Sequence, residues 1–123
     1  MDAAQARQLK IKTGALTRTL KDHKSYTNEK ATIEGRLEEL KQAQAALPAE
    51  EQDAGKVSRM EAELAETVAV IPTIVVKVES WLAELEGVMG TIEEACSASM
   101  EEIKETAEWK AAEAAVAEAQ EFQ

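Results

Sequence analysis

Residues 68–78 read VAVIPTIVVKV: eight of the eleven are apolar, most of those are β-branched, and the fifth is proline. Taken alone, the run has the composition of a buried strand. Its surroundings are rich in Ala, Glu, Lys and Leu and poor in aromatic residues, which is the composition of long helices. Three readings compete: a strand, a short membrane segment, or a helix with a fault in it.

Counting forward in steps of three and four separates them. The sites are Val68, Ile71, Val75, Val78, Leu82, Leu85, Met89, Ile92 and Cys96, and every one is apolar. A strand would show period two and end within about ten residues. A period near 3.5 sustained over about four heptads marks a helix with one apolar seam. Val57, Met60 and Leu64 join the seam upstream after a four-residue step, a stutter. Even ignoring Pro72 and Thr73, the unbroken apolar run reaches only Val76. A membrane-spanning helix needs about 20 such residues. The run is therefore expected in the middle of a long helix. Pro72 lacks an amide hydrogen for the Val68 carbonyl and crowds it, which predicts a kink or local break near Val68–Pro72. Val70, Ile74, Trp81 and Val88 form a second stripe on this helix. Two stripes imply two neighbouring helices, or one neighbour and a partner site.

Before Pro48, Leu9, Leu16, Tyr26, Ile33, Leu37, Leu40 and Leu47 recur at helical spacing, with Lys12 and His23 among the polar seam sites. This predicts a first helix over about residues 3–46. Pro48 and the acids behind it suit a helix start, so a second helix is expected over about 49–96, with a soft place at Gly55. Its end is open between two capping boxes, TIEE after Gly90 and SMEE at Ser99–Glu102. A turn near Ser97–Ser99 places the third helix over about 99–121. There Ile103, Ala107, Ala111, Ala114 and Ala117 form the expected buried stripe, flanked by Trp109 and Val116. The fold class is thus all-α, an elongated antiparallel three-helix bundle with helix 2 kinked near Pro72, forming a single domain over residues 1–123.

Charge narrows the function classes. The net charge is −10, unevenly spread: residues 1–47 carry nine Lys/Arg against six Asp/Glu, residues 48–123 five against eighteen. Nucleic acid and anionic membranes demand a dominant basic surface, so neither is expected as a partner. His23 and Cys96 are the only residues of their types, too few for a zinc site or an intrachain disulfide. The N-terminal MDAAQARQLKIK lacks the apolar run of a signal peptide. The sole GK pair, Gly55-Lys56, lacks the phosphate-loop glycine before it and is followed by Val57. The paired glutamates follow helix-surface spacing. No enzyme, cofactor or metal is expected.

RQLKIKTGALTR, residues 7–18, resembles the N-terminal signature of the tubulin-binding cofactor A family, also called tubulin-specific chaperone A. Tyr26 falls where that family carries a tyrosine. VAVIP resembles its Ile-Pro break in the second helix, and AEWKAAEA, residues 107–114, resembles a stretch of its last helix. The connection between helices 1 and 2 and the region Gly90–Ser99 are longer than the family pattern. The resemblance implies a cytoplasmic, cytoskeleton-associated helical bundle. It implies capture of β-tubulin folding intermediates after chaperonin release, and their passage to further tubulin-folding cofactors for α/β-tubulin assembly. No nucleotide hydrolysis by this chain is implied. It also implies partner contacts at Lys10, Lys12, Thr13, Arg18, Tyr26, Ile71 and Pro72, with Gly14 admitting a neighbouring backbone. The rival reading is a coiled-coil scaffold that self-associates through its seams, and a homodimer stays open under either.

Overall fold

A computed structural model describes residues 1–122. The described residues are helical, with no strand. Helix α1 spans Ala3–Ala45, α2 Ala54–Ala95, α3 Met100–Lys104 and α4 Ala107–Gln120. Short 3-10 turns, Ala49–Glu51 and Ser97–Ser99, precede α2 and α3. VAVIPTIVVKV lies wholly within α2, so the periodicity prevails over local β-propensity. Among the described residues no helix is long and apolar enough to cross a membrane.

The chain divides into two compact units: Met1–Lys21 with Ile74–Gln123, and Asp22–Thr73. The smaller one is a helical hairpin. Ile33 and Leu37 of α1 are buried there, and Tyr26, Leu40 and Gln44 are half-buried on the same row. Val57, Met60, Leu64 and Thr67 line the matching row of α2. A single row on each helix serves a single neighbour. The Gln44 side-chain oxygen accepts from the Asp53 amide at 2.6 Å, and Gln52 Nε2 donates to the Leu47 carbonyl at 3.0 Å. These bonds tie the turn to the end of α1.

The start of α2 differs from the expectation. Proline at 48 opens only the 3-10 turn, after which Gln52 is extended (φ −72°, ψ 139°). Asp53 Oδ1 then accepts from the Gly55 amide at 2.9 Å. A side-chain acceptor at a helix start satisfies an otherwise orphaned amide, so the helix begins behind Asp53 rather than behind Pro48.

In the larger unit α1 buries a much wider face. Leu9, Leu16 and Leu20 are buried, and so are Thr13, Ala15 and Thr19 around the helix from them. The buried threonines satisfy themselves: Thr13 Oγ1 donates to the Leu9 carbonyl at 2.7 Å and Thr19 Oγ1 to that of Ala15 at 2.9 Å. From α2, Ile74, Val78, Leu82, Leu85 and Ile92 are buried, and from α4 Trp109, Ala112, Ala115 and Ala119. This helix packing agrees with a bundle.

Two expected registers are corrected. On α2, Val68 is 38% exposed and the inward site is Thr67, at 7%. Ile74, on the second stripe, is buried as two neighbouring helices require, while Val75 of the expected seam is only half-buried. The seam runs 57, 60, 64, 67, 71, 74, 78 and then steps by four to Leu82. The stutter therefore follows Pro72 instead of preceding Val68. On the last segment, Ala107, Ala111, Ala114 and Ala117 are exposed. The expected single helix over 99–121 is divided at Glu105–Thr106. Thr106 is extended (φ −72°, ψ 149°), and its hydroxyl accepts from the Trp109 amide at 3.3 Å. That N-cap starts a new helix with a new phase, and Trp109 sets which face turns inward.

Pro72 lies inside α2, which continues through it. The boundary between the two units falls beside it. Because Pro72 is exposed, alanine there removes no packing and returns the amide that Val68 lacks. Pro72→Ala is expected to raise stability by up to about 3 kcal/mol. Urea unfolding would show a higher midpoint at an unchanged slope; an unchanged or lower midpoint would mean that the proline costs this helix nothing.

Candidate partner-binding surface

Residues 3–21 of α1 contain Arg7, Lys10, Lys12, Arg18 and Lys21 and no acidic residue. Leu9, Leu16 and Leu20 hold one face of this segment in the core, which turns Arg7, Lys10, Arg18 and Lys21 outward, where all four are exposed. Lys12 pairs with Glu84 at 3.6 Å and Lys110 with Glu105 at 3.3 Å. The four outward cations have no ion-pair partner among the described residues.

Lys12 behaves differently. Its ammonium lies 5.3 Å from the centroid of the Trp81 ring and within reach of Glu84. A lysine at a seam site is accommodated by laying its ammonium over an aromatic face and against a carboxylate. The polar site at position 12 was visible in the heptad pattern, but its partners on α2 were not. Both partners are partly exposed, which limits the strength of the pair. Lys12→Met is expected to cost about 1 kcal/mol. A double-mutant cycle with Glu84→Gln should return a coupling of about 0.2–1 kcal/mol; a coupling of zero would leave the stem of Lys12 as its only contribution.

The other expected contacts are placed as follows. Thr13 is buried and its hydroxyl is committed to Leu9, so it acts on any surface only through the packing of α1. In the hairpin unit, Tyr26 and Ile71 are half-buried while Pro72 is exposed, one turn after the exposed Val68. Lys10, Lys12, Thr13 and Arg18 thus belong to one unit, and Tyr26, Ile71 and Pro72 to the other. No backbone among the described residues approaches Gly14. The atom nearest the position a Cβ would take is Arg18 Nη1, at 3.3 Å, so the missing side chain makes room for a guanidinium of the same helix.

An open groove between α1 and α2 in the larger unit is lined by Ala4, Gln8 and Lys12 on one side and Glu84, Gly87 and Val88 on the other. Its two charged groups face each other, so no unpaired acid, base or nucleophile converges on it. Cys96 is half-buried, and its Sγ lies 3.6 Å from Gln5 Oε1. No group of three or more His, Cys, Asp or Glu among the described residues could hold a metal ion.

The family model described as Tubulin binding cofactor A matches residues 4–116. No curated protein and no solved structure matches the chain.

Proposed function

The chain belongs to the tubulin binding cofactor A family, and from that membership we propose that it captures β-tubulin folding intermediates after their release from the chaperonin. It holds them as a reservoir and passes them to further tubulin-folding cofactors, which assemble the α/β heterodimer. It works in the cytoplasm, beside the cytoskeleton, as a binding protein without catalysis or nucleotide hydrolysis. The reading treats residues 1–123 as one domain.

The single observation that carries this reading is the family match, which covers almost the whole chain. The outward cations of α1 support it, because complementary charge raises the rate and selectivity of encounter with an acidic protein. Lys10 and Arg18 are the proposed contacts in the larger unit, where Lys12 and Thr13 keep α1 in place behind them. Tyr26, Ile71 and Pro72 are the proposed contacts in the hairpin.

Native mass measurement of the chain mixed with chaperonin-released β-tubulin tests the proposal. The expected result is a complex of one chain with one β-tubulin, equally abundant with and without nucleotide. A Lys10→Glu/Arg18→Glu variant of unchanged helicity should form at least about tenfold less complex. A complex that needs nucleotide would contradict the proposal.

A further inference from the structure

Four unpaired cations on one helix face call for an explanation that stability does not supply. An α-helix advances 100° per residue, which confines Arg7, Lys10, Arg18 and Lys21 to a sector of about 80°. The sector lies opposite Leu9, Leu16 and Leu20, and Arg7 and Lys21 are about 21 Å apart along the axis. Gly14 sits in its middle, where the Arg18 guanidinium lies over the place a Cβ would occupy.

Helix stability argues against this arrangement. Like charges one turn apart on a helix face repel, and Arg7 and Lys10, like Arg18 and Lys21, are three residues apart. Acids four residues away would relieve the repulsion. The one acid at that spacing from any of the four is Asp22, four after Arg18, and the Arg18 guanidinium lies back over Gly14 instead of pairing with it. Yet residues 48–123 hold eighteen acids. The four thus stand on an acid-free stretch, residues 3–21, of an otherwise acidic protein.

From this stripe we infer that α1 docks an extended acidic peptide, a run of consecutive Glu or Asp side chains within the polypeptide the protein binds. An extended chain advances about 3.3 Å per residue, so about six or seven residues cover the stripe. Its carboxylates meet the cations, with the Arg18 guanidinium lying over Gly14 at the middle of the stripe. The inference deepens the tubulin-cofactor reading and rests on it for the source of the peptide. Nucleic acid fits less well. The stripe is short, no aromatic residue lies on it for base stacking, and the remaining surface is acidic.

The test uses the full chain and a fluorescein-labelled decaglutamate peptide, followed by anisotropy at low and at physiological salt. Binding is expected at low salt and weakens as salt rises. The variant Arg7→Gln/Lys10→Gln/Arg18→Gln/Lys21→Gln should bind at least about tenfold more weakly. A variant with the same charge change elsewhere, Lys24→Gln/Arg36→Gln/Lys41→Gln/Lys56→Gln, should stay within about twofold. Circular dichroism confirms that both are folded. No peptide binding, equal loss in both variants, or equally tight binding of a single-stranded oligonucleotide of matching charge would each overturn the inference. Capture of β-tubulin is measured on the same preparations. Capture without peptide binding removes the acidic-peptide stripe and leaves the cofactor reading; peptide binding without capture does the reverse.

Discussion

Trp109→Ala is expected to lose about 3–5 kcal/mol of stability, the largest loss of any single truncation in the chain. Trp109 is 1% exposed, the bulkiest of the fully buried side chains. It stands in the first turn of α4, just behind the Thr106 cap, and its indole Nε1 donates to Glu113 Oε1 at 2.7 Å. The rest of the buried face of α4 is alanine, at positions 112, 115 and 119. Alanines contribute little area individually, so the indole supplies most of what holds this helix in its unit. The surrounding helices cannot collapse fully around so large a void, which adds a cavity term to the lost transfer energy. Urea unfolding followed by circular dichroism reads the loss. Had the periodicity of Ala107, Ala111, Ala114 and Ala117 described the buried face, Trp109 would lie at its flank and the loss would stay below about 1 kcal/mol.

Ile74→Ala is expected to cost about 2–5 kcal/mol, while Val68→Ala should stay within about 0.5 kcal/mol. Ile74 is 6% exposed and Val68 38% exposed. The pair tests the register of the α2 seam on either side of Pro72. Equal losses at both positions would restore the register in which Val68 and Val75 point inward. A large loss at Ile74 alone establishes the stutter after the proline.

These two predictions also mark where the sequence stops being readable. Long helices were legible because their apolar spacing repeats over many turns, and no local preference of Val or Ile outweighs that. Of the outward cations of α1, Lys10 and Arg18 were marked by the family resemblance, while Arg7 and Lys21 were not singled out, because the charge balance of residues 1–47 says nothing of which face each cation takes. The α2 register was not legible, because VAVIPTIVV offers an apolar residue to almost every side of the helix, and spacing cannot choose among them. The face of α4 was hidden for a different reason. Thr106 interrupts the helix with one side-chain hydrogen bond, and a break of two residues resets the phase of everything after it. The late start of α2 has the same origin in Asp53. The partners of Lys12 needed tertiary structure, since nothing within helix 1 names Trp81 or Glu84.

The proposed surface follows from these local details. With Leu9, Leu16 and Leu20 inside, only one face of α1 remains for Arg7, Lys10, Arg18 and Lys21. With Lys12 drawn to α2, the cation nearest the core is withdrawn from that face. The basic character of α1 is thus set by which leucines are buried.

The most direct test of the central claim is retention on the immobilised wild-type chain, without nucleotide, of β-tubulin released from chaperonin and, in parallel, of assembled α/β-tubulin. A reservoir for folding intermediates retains the released β-tubulin and lets the assembled heterodimer pass. Failure to retain the released β-tubulin would contradict the account.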